Sequence, residues 1–288
     1  MTKQSIKDTL EFNKLAPKKR FGQNFLIQEE SARRIVAASP LTKEDTIVEI
    51  GVGLGALTEH LARQSKSVIG LEIDAGIVRW LTDNNKLPPN ATLLHQDVMK
   101  TDFKNLADQS DGKIKIVANL PYSLSNPFLF KLIENAPLLQ WAVIMLQKEV
   151  GDRLMADEGS KTYGILSVLI KSCASVSFLM TLGPGHFHPR PKIDSVVLRL
   201  VFNPLPQRAS LLPSFDRHLL KIIVNAAFQQ RRKTLINALS AAKILGANRQ
   251  TTSEIIENAE IAIGIRAERL TIEDFVRLAR SYEYRMSL

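Results

Sequence analysis

TIVEIGVGLGALTEHLARQSKSVIGLEID, residues 46–74, is the stretch on which the fold turns. It opens on TIVEI (46–50), a β-branched, mostly apolar run of strand length. Gly51, Gly53 and Gly55 follow at alternate positions, then ALTEHLARQ (56–64) with a helical pattern, then the second strand SVIGLEID (67–74). Strand, glycine-rich turn, helix and strand in that order make the start of a parallel βαβ arrangement. Glycines in such a turn let a ligand approach the backbone closely. The spacing is G-x-G-x-G with Ala56 next, whereas the dinucleotide fingerprint is G-x-G-x-x-G, so a tight turn with no ligand competes as a reading.

Glu72 narrows the choice. An acidic residue near the end of the second strand, about twenty residues after the glycines, is placed to accept hydrogen bonds from ribose hydroxyls. Both NAD and S-adenosylmethionine carry an adenosine ribose, so the pair does not separate them. Asp97, in LLHQDV, closes a third strand (91–97) and adds a second acid at the same carboxyl edge. Ligands of open α/β sheets bind at that edge.

Working outward, KIKIVANL (113–120) and WAVIML (141–146) read as a fourth and fifth strand, with helical segments between them. SVSFLMTL (175–182) and SVVLRLVF (195–202) follow with little helix between, which suggests an antiparallel pair at one edge. After NPLPQR (203–208) the pattern is helical to the end: HLLKIIVNAAFQQ, RRKTLINALSAAK, TTSEIIENA and TIEDFVRLARSYEY. The expectation is an α/β domain over residues 1–205 with a basic N-terminal segment, and an all-helical domain over 206–288.

Asn119-Leu120-Pro121-Tyr122 directly follows the fourth strand and resembles the [DNS]-P-P-[YFW] signature of enzymes that methylate planar amino groups. The chemistry accounts for the residue types. Adenine N6 is a poor nucleophile because its lone pair is delocalised into the ring. Two acceptors on its hydrogens, the Asn119 side-chain oxygen and the Leu120 carbonyl, raise electron density at nitrogen and favour a pyramidal geometry for in-line attack. Pro121 stiffens the turn, and Tyr122 is placed to stack on an extruded base. An activated sulfonium donor needs neither a metal nor a strong general base.

In GHFHPRPKIDSV (185–196), prolines favour an extended loop, where Phe187 can meet the other face of a flipped base and Arg190 and Lys192 can meet phosphates. The competing reading of Phe187 is simple core packing. His186 and His188 have a metal-like spacing but no acidic or cysteine partner, so no metal is expected.

Charge points to the partner. The net charge is +9, and the excess sits entirely in residues 1–23 (net +4) and 206–288 (net +5), with the body between them neutral. Basic flanks on a neutral body suit a polyanion whose phosphates bind through counterion release. No run approaches the length of a membrane span. The start has no apolar h-region, and Cys173, the single cysteine, cannot form an intramolecular disulfide and reads as a core residue. A cytoplasmic monomer is the expectation.

Beyond these separate readings, the chain resembles the KsgA-type small-subunit ribosomal RNA adenine dimethyltransferases, which are related to the Erm macrolide-resistance methyltransferases. The likeness runs through KKRFGQNFL (18–26), VEIGVGLGALT (48–58), LEID (71–74), QDVM (96–99), VANLPY (117–122), QKEVGDRL (147–154), FHPRPKIDSVVLRL (187–200) and AFQQRRKTLINAL (227–239). KRFGQNFL and PKIDSV are far more specific to the family than the glycine turn.

The resemblance implies the class I methyltransferase variant of the doubly wound, Rossmann-like fold, with a seven-stranded, mostly parallel sheet. It implies S-adenosylmethionine contacts from Asn24, Leu26, Gly51, Gly53, Glu72, Asp97 and Asn119, with Gln23 and Phe25 helping to build a lid. It also implies the target: two adjacent adenosines in a hairpin loop near the 3′ end of 16S rRNA, converted to N6,N6-dimethyladenosine in a precursor 30S particle late in small-subunit biogenesis. Lys18, Lys19, Arg20, Arg190, Lys192, Arg231, Arg232 and Lys233 are the expected RNA contacts. Val52 stands where the family commonly has Pro, and Ser123 and Asn126 depart from its usual loop.

Other readings remain open at this point. An NAD-dependent oxidoreductase shares the glycine turn and Glu72 but gives Asn119 to Tyr122 no task. A DNA adenine or protein glutamine methyltransferase shares that turn but not the family blocks. An Erm-type enzyme acts on large-subunit RNA, and a non-catalytic assembly factor binds particles without turnover.

Overall fold

The computed structural model describes residues 23–110 and 112–287. The chain divides into two compact units, residues 1–151 with 176–204, and residues 152–175 with 205–288. Residues 152–175, placed by the linear reading inside the first domain, group with the C-terminal helices.

In the first unit the elements run β1 (Phe25–Leu26), α1 (Glu29–Ala37), β2 (Thr46–Ile50), α2 (Thr58–Gln64), β3 (Ser67–Glu72), α3 (Ala75–Asp83), β4 (Ala91–His95), α4 (Phe103–Gln109) and β5 (Ile114–Asn119). Next come α5 (Ser125–Glu134), β6 (Leu139–Gln147) and α6 (Lys148–Met155), the last crossing into the second unit. After the second unit's α7 (Ile165–Lys171), the chain returns through β7 (Ser175–Leu182), β8 (Phe187–His188) and β9 (Ser195–Val201).

Seven strands form one sheet in the order β4-β3-β2-β5-β6-β9-β7, and β1 pairs separately with β8. The ladders joining β4, β3, β2, β5 and β6 are parallel, and β9 is antiparallel to β6. The two late strands are thus neighbours at one edge of the sheet, as expected, with β9 antiparallel to β6 and β7 outermost. The order turns back between β2 and β5, which opens a crevice at their carboxyl ends.

Burial explains why these segments are strands. β2 is buried along its whole length, as expected of a central parallel strand covered on both faces. On one face Ile47, Val117, Val143 and Val197 pack with Ile35 and Val36 of α1 and Leu61 of α2. Val52, Leu54, Ile77, Trp80 and Leu81 form a second cluster together with Phe25 and Ile27. Side-chain caps set two of the helix starts. The Asp74 carboxylate accepts from Gly76 N at 2.8 Å, and the Asp102 carboxylate from Lys104 N at 2.8 Å.

The second unit adds α8 (Gln207–Ser210), α9 (Arg217–Gln229), α10 (Leu235–Ala242), α11 (Arg249–Asn258) and α12 (Ile272–Met286). Its core is aromatic. The Phe228 ring lies 6.0 Å from Tyr163, edge-on, and 6.0 Å from Phe275, stacked. Tyr163 Oη donates to the Leu270 carbonyl at 2.9 Å, so its polar tip is satisfied where its ring is buried. Cys173 is buried here, and that burial pushes its thiol up to about 12, which leaves it inert at neutral pH. No helix among the described residues is long and apolar enough to cross a membrane.

Candidate active site

The crevice at the carboxyl ends of β2, β3, β4 and β5 is a cleft of about 850 Å³, partly open to solvent. The glycine turn forms part of its wall, and two of its glycines are required there. Gly51 has φ +75°, and a Cβ on it would stand 2.9 Å from the Asn119 carbonyl oxygen. Gly53 has φ +54°, and a Cβ on it would press on the Phe25 ring at 3.2 Å. Any side chain would thus both strain the backbone and fill the space a ligand needs.

Glu72, 4% exposed, closes β3 against this turn. Its Oε2 accepts from Gly53 N at 2.9 Å and its Oε1 from Asp74 N at 2.9 Å. Burial raises its pKa, and the backbone N–H groups of Asp74 and Gly53 oppose that rise. Each carboxylate oxygen can accept more than one hydrogen bond. Beside it, Ile73 is 40% exposed and lines the cleft, an apolar surface suited to a flat ring. Asp97 lines the same wall, with its Oδ1 accepting from Met99 N at 2.9 Å.

Asn119 ends β5 opposite Met145, and Leu120 and Pro121 carry the lining onward to a 3₁₀ turn at Tyr122–Leu124. Leu124 N donates to the Pro121 carbonyl at 2.9 Å, which fixes the turn. Tyr122 stands beside the cleft lining, half-buried, and its hydroxyl lies 2.7 Å from Ser195 Oγ at the start of β9. Burial raises the phenol's pKa, so it stays neutral at physiological pH.

The segment from Gln23 to Ile27 is held against the cleft from several sides. Phe25 pairs with His188 and Leu26 with Phe187 in the β1–β8 ladder. Ile27 N donates to the His186 carbonyl at 2.9 Å, and His186 Nδ1 lies 2.7 Å from Ser31 Oγ. The two histidines thus flank the anchor of this segment, and no group of three or more His, Cys, Asp or Glu able to hold a metal occurs among the described residues.

The seven residues expected around a cofactor, Asn24, Leu26, Gly51, Gly53, Glu72, Asp97 and Asn119, all line this one cleft. Phe187 does not. It is 2% exposed and packs in the core with Leu26, Val143, Met145 and Val197. The register explains this: Leu26 and Phe187 are paired, and paired residues send their side chains to the same face.

The basic residues separate as well. Arg190 and Lys192 are exposed between β8 and β9. The run Gln230-Arg231-Arg232-Lys233 is a turn between α9 and α10, where a helix over RRKTLINALSAAK was expected. Arg231 Nη2 donates to the carbonyls of Lys161, at 3.0 Å, and Tyr163, at 3.2 Å, which pins the turn within its unit. Arg232 and Lys233 beside it are exposed. Lys18, Lys19 and Arg20 lie outside the described residues.

Sequence reasoning passed over three residues that matter here. Ile73 looked like part of a strand, and Ser195 gave no local sign of its Tyr122 partner. Glu49 did carry a signal, a lone charge inside an otherwise apolar central strand. It is 1% exposed, lines the cleft, and neither carboxylate oxygen has a hydrogen-bond partner.

Sheet order, glycine turn and acidic wall together define a class I methyltransferase that uses S-adenosylmethionine. The family model of ribosomal RNA adenine dimethylases matches residues 14–283, and the chain belongs to that family. It is thus an S-adenosylmethionine-dependent rRNA adenine dimethyltransferase. A relative from Desulfotalea psychrophila, "Ribosomal RNA small subunit methyltransferase A", is 49% identical, covering 96% of this chain and 95% of its own. Among solved structures, a dimethyladenosine transferase from Plasmodium falciparum superposes with a TM-score of 0.75 at 24% identity, over 91% of this chain and 98% of that one. The 23S rRNA methyltransferase ErmE does so with a TM-score of 0.66 at 22% identity, over 90% of this chain and 100% of that one. At these identities the two structures speak to the fold alone.

Proposed function

We propose that this protein dimethylates N6 of two adjacent adenosines in a hairpin loop near the 3′ end of small-subunit 16S rRNA. It does so as a cytoplasmic monomer acting on a precursor 30S particle, late in subunit biogenesis. The observation that carries the reading is the Asn119–Tyr122 turn at the edge of a cleft that fits S-adenosylmethionine. The near full-length likeness to a relative named for the small subunit supports that subunit over the large one.

The cleft fits the cofactor on its own chemistry. Gly51 and Gly53 let it approach the backbone, Glu72 offers acceptors for ribose hydroxyls, and Ile73 offers a flat apolar surface. Bound there, S-adenosylmethionine supplies a methyl group already activated by a positively charged sulfur. What this chain adds is alignment and the handling of the amine. The Asn119 side-chain oxygen and the Leu120 carbonyl accept from the two N6 hydrogens, which directs the nitrogen lone pair toward the methyl carbon. Tyr122, held at its hydroxyl by Ser195, stacks on the base. After transfer the N6 proton leaves to solvent. The monomethylated amine keeps a lone pair and one hydrogen, which one of the two acceptors holds for a second transfer.

Arg190, Lys192, Arg232 and Lys233, with Lys18, Lys19 and Arg20, contact phosphates; they position the RNA and do not read its sequence. Target choice then rests on RNA shape and looped-out bases.

The test is transfer of labelled methyl groups to small-subunit particles isolated from cells lacking this modification, with large-subunit RNA, DNA and protein in parallel. Dimethyladenosine in the small subunit alone is the expected product. Product in large-subunit RNA instead would favour the Erm-type reading, and binding without transfer a pure assembly factor. Asn119→Ala should abolish transfer and leave RNA binding nearly intact.

A further inference from the structure

Glu49 has no part in the chemistry described so far, yet it is the most deeply buried acid of the cleft. It sits on β2 two residues before Gly51, 1% exposed, with both carboxylate oxygens unpartnered. Thr58 Oγ1, at the start of α2, is likewise buried, and its hydroxyl favours the charged form of Glu49. Among the described residues the cleft lining contains three carboxylates, Glu49, Glu72 and Asp97, and no Lys, Arg or His. Glu72 and Asp97 each hold backbone N–H groups. Glu49 holds none.

A buried carboxylate with no partner takes up a proton unless a cation is supplied. The groups bearing on Glu49 among the described residues are few. β3 presents the Glu72 carboxylate, whose charge adds to the penalty, and α2 presents the Thr58 hydroxyl, which opposes it. On β5 the facing residue is Val117, with the non-titrating Asn119 beyond it. Burial dominates and pushes Glu49 up to about 8. Without a cation nearby the cleft therefore holds a carboxylic acid at neutral pH, in the lining of a site whose ligand carries positive charge.

We propose that Glu49 is a proton-coupled cation site: the positive charge of the cofactor ionises it, and each binding event releases the Glu49 proton to the buffer. The carboxylic acid loses H⁺, and the carboxylate that remains pairs with the ligand's positive charge. Affinity for the cofactor consequently rises with pH through the neutral range, and Glu49 makes the cleft selective for a cationic ligand. The inference rests on the cofactor assignment and is independent of the RNA target.

Calorimetric titration of the full chain with S-adenosylmethionine at pH 7, in buffers of different ionisation enthalpy, counts the protons directly. Expected is a release of about one half to one proton per cofactor bound, with affinity rising up to about tenfold per pH unit below the Glu49 pKa. Glu49→Gln should bind more weakly, release no proton and show no such pH dependence, while Glu49→Asp should retain the release. Infrared spectra give a second measure on the unmutated protein: a protonated-carboxyl stretch before binding that disappears on binding. Cofactor binding with no proton exchange, or equal release from Glu49→Gln, would overturn the proposal alone. No binding at all would overturn the cofactor assignment along with it.

Discussion

The hydroxyl of Tyr122 and Oγ of Ser195 lie 2.7 Å apart, tying the turn after β5 to the first residue of β9. Two segments 73 residues apart in sequence thereby fix one aromatic ring. Because β9 is clamped antiparallel to β6, Ser195 is itself a rigid anchor, fully buried and paired with Gln147. Losing the bond frees the ring without removing it. Ser195→Ala should lower kcat/KM by about 2- to 10-fold, the span expected for one neutral hydrogen bond. Cofactor affinity should not change, and Tyr122→Phe should match it. A loss in Ser195→Ala as large as that in Tyr122→Ala would mean the serine does more than hold the ring.

Glu72 joins the glycine turn to the cofactor wall through its bonds to Gly53 N and Asp74 N. Glu72→Ala removes these acceptors along with those offered to the ribose. Cofactor Kd should rise by about 10- to 100-fold, in line with hydrogen bonds to a charged group. Equilibrium binding of S-adenosylmethionine checks this without any RNA present.

At Gly51 the positive φ and the 2.9 Å approach to the Asn119 carbonyl act together. Gly51→Ala should destabilise the protein by at least about 1–2 kcal/mol through the left-handed backbone alone. Relief of the clash would shift Asn119, so methyl transfer should fall even at temperatures where the variant stays folded. Thermal unfolding and a methylation assay on the same preparation separate the two effects.

Within the turn between α9 and α10, neighbouring arginines should behave differently. Arg232→Ala and Lys233→Ala should weaken RNA binding uniformly and reduce its salt dependence by about one unit of slope each. Arg231→Ala should instead destabilise the helical unit, by about 1 kcal/mol or less because its side chain is 45% exposed. Binding titrations at several salt concentrations, set beside urea unfolding, distinguish the cases.

Glu49 also gives the ligand-free protein a pH signature. Its folded pKa, pushed to about 8 by burial, stands above its ordinary value of 4.5. Between those limits the folded state binds more protons than the unfolded state, so stability is full below about 4.5 and falls as pH rises through 8. The loss is on the order of a few kcal/mol. Urea unfolding from pH 5 to 9 should show this decline, and Glu49→Gln should flatten most of it. Glu72, also raised by burial, adds a change of the same sign.

Much of this molecule is written locally. The alternation of β-branched runs with amphipathic segments marks the sheet strands, because strand and helix periodicities are properties of short windows. Glycines at 51 and 53, an acid at 72 and Asn119 through Tyr122 stand at strand ends, and the ends of parallel strands necessarily share one edge. That is why Gly51, Gly53, Glu72, Asp97 and Asn119 line a single cleft, whereas Asn24 and Leu26, named only through the family resemblance, reach it by way of the β1–β8 pairing. Contacts between distant segments are another matter. The insertion of β9 between β6 and β7, the inward turn of Phe187 and the capture of Arg231 by two carbonyls all depend on partners far along the chain. So does the solitude of Glu49, whose burial without a partner becomes visible only once the strands, the helix and the glycine turn have closed around it. Residue types and their spacing carry the class of chemistry; pairing register and burial decide which side chains are free to perform it.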